Sequence, residues 1–179
     1  DSIYPLDFDE LLPLLGRVDI LVLNPRLTEH PVTPSEYAEI ERTASWVGRT
    51  IGSMQVWDVL RALEWSLREE KLVPSSISVF GKGEMGILAL YAAILDERVG
   101  EVILQDPPAS HRHGPALLNV LRITDIPEAA ALLSPRRLTI LGGIPEAFQA
   151  SRRLYDLSGQ PDGVRGAASL RAALRLSKR

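Results

Sequence analysis

The chain has 179 residues, a formal net charge of −3, and hydrophobic and charged shares of 45% and 24%, the balance of an ordinary globular domain large enough to bury one core. That charge gives no argument for nucleic acid or an anionic membrane as partner, and no apolar run reaches the ~18–20 residues of a membrane-spanning helix. Cysteine is absent, which excludes disulfides, thiolate metal sites and cysteine nucleophiles and leaves the compartment open.

The chain starts at Asp1 rather than Met, and is expected to carry no signal peptide and to be one α/β domain cut or processed from a longer protein. Val18-Asp19-Ile20-Leu21-Val22-Leu23 reads as a buried strand. Asn24-Pro25-Arg26 ends it, because proline cannot donate to a ladder. Thr33-Pro34-Ser35-Glu36 has the form of a helix start, with Thr33 as cap, Pro34 in the first turn and Glu36 completing a capping box. That helix is predicted to run to about Gly48. A second helix spans about Ser53 to Glu70, with Met54, Val56, Trp57, Leu60, Leu63 and Leu67 on one apolar face; Trp46, Trp57 and Trp65 are read as core or interface residues.

Ser76 to Phe80 is β-prone, and a glycine turn follows at once. Glu84 to Leu95, rich in small and apolar residues, is predicted to be a helix buried on more than one side. Val102-Ile103-Leu104 is the next strand, followed by a polar loop at 106–114 and two short helical pieces near 115–121 and 127–133. Arg137 to Leu141 is a further strand, stopped by Gly142-Gly143. Pro145 opens a helix to about Leu157, and residues 158–163 read as a flexible stretch before a basic amphipathic helix at roughly 167–176. Strands alternating with helices predict a mostly parallel sheet with helices on both faces. In such a sheet a site forms at the carboxyl ends of the strands.

The turn Gly81-Lys82-Gly83-Glu84-Met85-Gly86 supports two readings. By its letters it is a dinucleotide fingerprint, with Gly81, Gly83 and Gly86 in register and Asp106 where a ribose-binding acid belongs. Against that reading, Glu84 places a carboxylate where a pyrophosphate would sit, and Pro107-Pro108 restricts the adenine-side loop. By its context it is a nucleophile elbow, the sharp strand-to-helix turn that carries a serine in G-x-S-x-G.

The sequence around the turn resembles the acetyl xylan esterase and dienelactone-hydrolase-like branch of the α/β-hydrolases. The resemblance covers residues 48–157. It is carried by Gly48-Arg49-Thr50, by Val56-Trp57-Asp58-Val59-Leu60-Arg61-Ala62-Leu63, by Ser76-Ile77-Ser78-Val79-Phe80-Gly81, by Leu90-Tyr91-Ala92-Ala93 and by the approach Leu133 to Thr139. It implies an α/β-hydrolase-like sheet truncated at its C-terminal strand and, carried over residue by residue, a catalytic set that is not intact. The family serine falls on Gly83. The acid would follow the strand at 137–141, where only Glu146 offers a carboxylate. The base would follow a last strand, yet no histidine occurs after His113. The oxyanion loop would be Asn24-Pro25-Arg26, and Pro25 has no N–H to give. A serine needs its base and the base its orienting acid, so these losses together imply a non-catalytic domain with a binding, assembly or scaffolding role, partnered by another domain or subunit.

One other arrangement would restore hydrolysis. Glu84, Asp106, His111 and His113, with His30, fall in loops at one sheet edge, and a carboxylate–imidazole cluster of this kind could hold an ion and activate water. The spacing is no recognised ligand motif. No cofactor and no metal is therefore assigned, and Glu84, Asp106, His111 and His113 stand as the candidate residues of an unusual esterase.

Overall fold

The structure, a computed structural model, describes residues 11–28, 32–69 and 77–175. Four strands form one parallel sheet in the order β1 (Ile77–Lys82), β2 (Val99–Gln105), β3 (Arg137–Leu141) and β4 (Val164–Ala167). Helix α1 (Pro34–Trp46) and helix α2 (Ile51–Glu69) precede the sheet. Helix α3 (Gly83–Leu95) links β1 to β2, α4 (Ile126–Ala131) lies between β2 and β3, and α5 (Gln149–Leu157) lies between β3 and β4. A one-turn helix, α6 (Leu170–Ala173), follows β4.

The start of α1 follows from local chemistry. Thr33 Oγ1 accepts from the Glu36 N–H at 3.3 Å while Glu36 Oε2 accepts from the Thr33 N–H at 2.8 Å, so two otherwise orphaned donors of the chain entering the helix are satisfied reciprocally.

Strand periodicity divides the sheet into two faces. Val102, Leu104, Leu138, Ile140 and Val164 turn to one face, where they pack with Ile87 and Leu90 of α3, Ile126 of α4, and Phe148 and Tyr155 beside and in α5. Ile103 turns to the other face, against Leu14, Leu170 and Ala173. This second face also carries charge. The buried Glu101 carboxylate accepts from Thr139 Oγ1 at 2.7 Å, Arg165 Nη2 at 3.0 Å and Arg137 Nη2 at 3.3 Å. The two faces, with helices on each, are the layered α/β arrangement that the alternation of strands and helices predicts.

Three expectations are corrected. The run at 18–23 is not a buried strand. Residues 19–25 take no ladder partner among the described residues, and Ile20, Leu21, Val22 and Leu23 are exposed. An apolar run becomes a strand only when a neighbour accepts its backbone groups. Secondly, residues 158–163 are not a loose stretch leading to a long helix. Hydrogen bonds from Gln160 N to Tyr155 O and from Gly163 N to Gln160 O close them into turns. β4 follows, and the helix after it holds only four residues. Thirdly, the tryptophans are not core residues: Trp57 and Trp65 lie outside the packed face of α2, and Trp46 is 78% exposed. Val56 and Leu63 of the expected face are buried, with Ile51 beside them, while the Arg61 guanidinium stacks 4.4 Å from the Trp57 ring. No helix among the described residues is long and apolar enough to cross a membrane.

Candidate functional site

The carboxyl ends of β1, β2 and β3 lie side by side. Lys82 is in register with Gln105 and Leu104 with Ile140, so Gly83, Asp106 and Gly142 follow the ends of adjacent strands. A cleft of about 370 Å³ opens there, between Asp106-Pro107 and the segment Ile140 to Pro145.

The glycine turn sits beside this cleft, and its three glycines have different reasons to be glycine. A Cβ on Gly81 would lie 2.5 Å from Gly86 Cα, and one on Gly86 would lie 2.7 Å from Gly81 O. Strand and helix backbones therefore touch at this pair, and no side chain fits between them. Gly83 is the apex, with φ +56°, in the left-handed region that L side chains seldom adopt. A Cβ there would meet no heavy atom within 4 Å, so a side chain at this position would project outward above the strand ends. That is the backbone an elbow requires of its nucleophile, built here without a side chain to use it.

Glu84 follows Gly83 in the chain and Asp106 follows the adjacent strand end, whereas His111 is engaged elsewhere. His111 is buried, donating or accepting through Nδ1 with Pro115 O at 2.8 Å and through Nε2 with the Tyr91 hydroxyl at 2.8 Å. Both ring nitrogens are thus committed inside the loop. The same loop is pinned by Asp125, whose carboxylate accepts from Ser110 Oγ at 2.5 Å, from His111 N at 2.8 Å and from Ile126 N at 2.8 Å. Burial pushes the Tyr91 phenol up to about 12, with the Asp125 charge adding to it. His113 and Glu84 are exposed, and Glu84 faces the neighbourhood of Tyr37 on α1, whose phenol is raised by burial first and then by the charges of Glu41 and Glu84. Asp106 is exposed at φ +48° on the cleft rim. His30 lies outside the described residues. Among the described residues no three His, Cys, Asp or Glu side chains are placed to hold a metal ion. Of the candidate residues Glu84, Asp106, His111 and His113, the His111 ring is thus spent in packing with Tyr91 and Pro115.

The segment after residue 23 is also held elsewhere. Arg26 grips Asp58 of α2 through Nη2 at 2.5 Å and Nε at 2.8 Å, and Gln55 Nε2 donates to Arg26 O at 2.9 Å. The Arg26 hydrogen bonds hold the Asp58 carboxyl below its usual range. Sequence reasoning missed Tyr91, Asp125 and Arg26 as the residues that shape this region. The ordering carboxylate is Asp125, which the Asp-x-Pro form at 125–127 signals as a helix cap.

Asp125 gives a pH dependence. Burial acts to raise its carboxyl, but the hydrogen bonds from Ser110, His111 and Ile126 outweigh this and leave it below its ordinary value. A depressed carboxyl contributes stability that is fully present above the unfolded value of about 3.9 and fades as pH falls through the lower folded value. Asp125→Asn is therefore expected to flatten the acid limb below about pH 4, read as urea midpoints at neutral and acid pH. Parallel acid limbs for the two proteins would remove Asp125 from this role.

No protein-family model and no curated protein matches the chain. Solved structures do. A structure assigned as an acetyl xylan esterase of Bacteroides fragilis superposes with a TM-score of 0.60 at 16% identity, covering 78% of this chain and 40% of that one. A glucuronoyl esterase of Solibacter usitatus gives 0.52 at 16% identity, covering 66% and 43%. The fold is that of the α/β-hydrolase-type esterases. A promiscuous carbohydrate esterase from a marine bacterial metagenome gives 0.50 at 12% identity, covering 82% of this chain and 51% of that one. The chain thus spans about half of these esterases or less. The contact between Gly81 and Gly86 accounts for two of the glycines of the turn at 81–86 without a bound dinucleotide.

Proposed function

We propose that this chain is a degenerate α/β-hydrolase-type domain that binds or assembles rather than hydrolyses. The observation that carries the reading is Gly83. It holds the apex of the elbow at φ +56° with open space above it, and it brings no hydroxyl, thiol or carboxylate to attack an ester. Acyl transfer needs a nucleophile, a base within hydrogen-bond reach and an orienting acid. The buried histidine of this region has both ring nitrogens engaged by Tyr91 and Pro115, which supports the same conclusion. The cleft at the strand ends, with Asp106 on its rim, then serves as a recognition surface, and a second domain or subunit supplies any chemistry.

The test uses an aryl acetate and a methyl glucuronate ester, chosen because the structural neighbours are named as esterases of these kinds. Both are expected to turn over at the buffer rate with the purified chain. Turnover that survives a serine-directed inhibitor and vanishes in Glu84→Gln would overturn the proposal. Gly83→Ser is expected to fold with a loss of about 1–2 kcal/mol, the cost of a side chain at positive φ, and to remain inactive because no base stands beside it. Denaturant melts and the same ester assay read both outcomes.

A further inference from the structure

β4 is the last strand of the sheet, and its outer edge is open among the described residues. Gly163 O and Ala167 O accept from Leu138 N and Gly142 N of the β3 side. Backbone groups alternate in direction along a strand, so the N–H and C=O of Val164 and Gly166 face away from β3. A cleft of about 510 Å³ runs along this edge, lined by Asp162, Val164, Arg165, Gly166, Arg152 of α5 and Arg175 just after α6.

The two flanking arginines come from opposite faces. Val164 packs on the α5 face with Tyr155, and Arg152 belongs to α5. Arg165 turns to the other face, where its Nη2 bonds Ala173 O of α6 and Glu101, and Arg175 follows α6 at φ +54°. Among the described residues neither Arg152 nor Arg175 has a carboxylate partner, whereas Glu101 takes up the charge of Arg165. Asp162 is the single carboxylate among the residues lining the cleft. The chain as a whole carries a net charge of −3, so this cationic edge is a local departure from its charge.

We infer that the β4 edge is a docking site for an extended, acidic polypeptide segment, which adds a strand to the sheet. Its backbone pairs with Val164 and Gly166, and its carboxylates, alternating between the two faces, meet Arg152 on one side and Arg175 on the other. Main-chain pairing supplies affinity in this mode and the flanking side chains supply selectivity. Charge on an edge strand also guards against unwanted pairing; arginines on both faces reject a basic strand and admit an acidic one. The inference goes beyond the reading of the elbow and does not depend on it.

The probe is a fluorescent synthetic peptide in which glutamate alternates with threonine, measured by anisotropy against the full chain at low ionic strength, where the Debye length is about 30 Å. Binding is expected, weakening with added salt and falling by about tenfold or more in Arg152→Ala/Arg175→Ala. A second probe carries the same charges with N-methyl groups on one backbone edge, and is expected to bind at least about tenfold more weakly than the first. Equal binding of the two probes, or complete competition by inorganic phosphate or citrate at matched charge, would show a small-anion pocket and overturn strand addition. Absence of binding by the unmethylated probe overturns it as well. Circular dichroism of the double variant confirms that the sheet is intact, and both substituted residues are at the surface of their elements.

Discussion

Gly81→Ala is expected to lower the unfolding free energy by roughly 3 kcal/mol, enough to leave a domain of ordinary stability marginal. The reason is the nature of the obstacle. A Cβ at this position would lie 2.5 Å from Gly86 Cα and 2.6 Å from Gly86 N, and both are backbone atoms at the start of α3. A flexible side chain could swing aside, but here the whole helix would have to move off the strand. Gly81 is buried beneath that helix, and α3 carries Ile87, Leu88, Leu90, Ala92 and Ala93 into the core, so displacing it loosens packing on several sides at once. Gly86→Ala should cost a similar amount, since its Cβ would meet Gly81 O at 2.7 Å. Gly83→Ala at the apex should cost only the positive-φ penalty of about 1–2 kcal/mol. Urea midpoints of the three variants check the order. If Gly81→Ala melts within about 1 kcal/mol of the parent, the close contact of strand and helix does not exist as described.

The second large effect is expected at Glu101. Its carboxylate is 3% exposed and bonded to Arg165, which is 22% exposed, and to Arg137, which is 46% exposed. Removing one partner of a buried charge pair leaves the other uncompensated in a medium of low polarity, at a cost of about 3–5 kcal/mol. Glu101→Ala would also strip Thr139 Oγ1 of its acceptor in a fully buried position. A loss of roughly 3 kcal/mol or more is expected. Arg137→Ala should cost less than about 1 kcal/mol, because that side chain is nearly half exposed and its pairing is screened by water. Thermal or urea unfolding of both variants tests the difference. Comparable losses for the two would mean that the charge network is weaker than its burial implies. Glu101→Gln keeps the shape and a hydrogen-bond acceptor for Thr139, and should fall between them.

Both predictions concern residues whose importance was unevenly legible. The glycine pattern at 81–86 marked a special turn from its letters alone. Glu101 carried no such mark, since a glutamate at the start of an apolar run reads as a solvated end. It becomes buried only because β3 and β4 bring Thr139 and Arg165 beside it, from 38 and 64 residues further along the chain. His111 is a similar case. Its type and loop position allowed a ligand or a base, yet Tyr91, 20 residues before it, and Pro115 take both ring nitrogens.

Local chemistry determined a good deal of this protein by itself. The capping box at Thr33 and Glu36, the continuous apolar run of α3, the strands around Val102 and at 137–141, and the alternation of strands with helices all follow from short-range rules of hydrogen bonding, periodicity and steric fit. So does the absence of a nucleophile at Gly83, which is a matter of composition at one position. Tertiary structure alone decided the rest. It left Ile20 to Leu23 without a ladder, made a strand of Val164-Arg165-Gly166-Ala167, and turned Trp57 outward. It also committed the His111 imidazole to Tyr91 and Pro115. The physical reason is common to all of these. A strand exists only where a neighbour completes its hydrogen bonds, and a polar side chain becomes a catalytic group or a packing element according to which distant residues reach it. Neither partner is written in the segment itself.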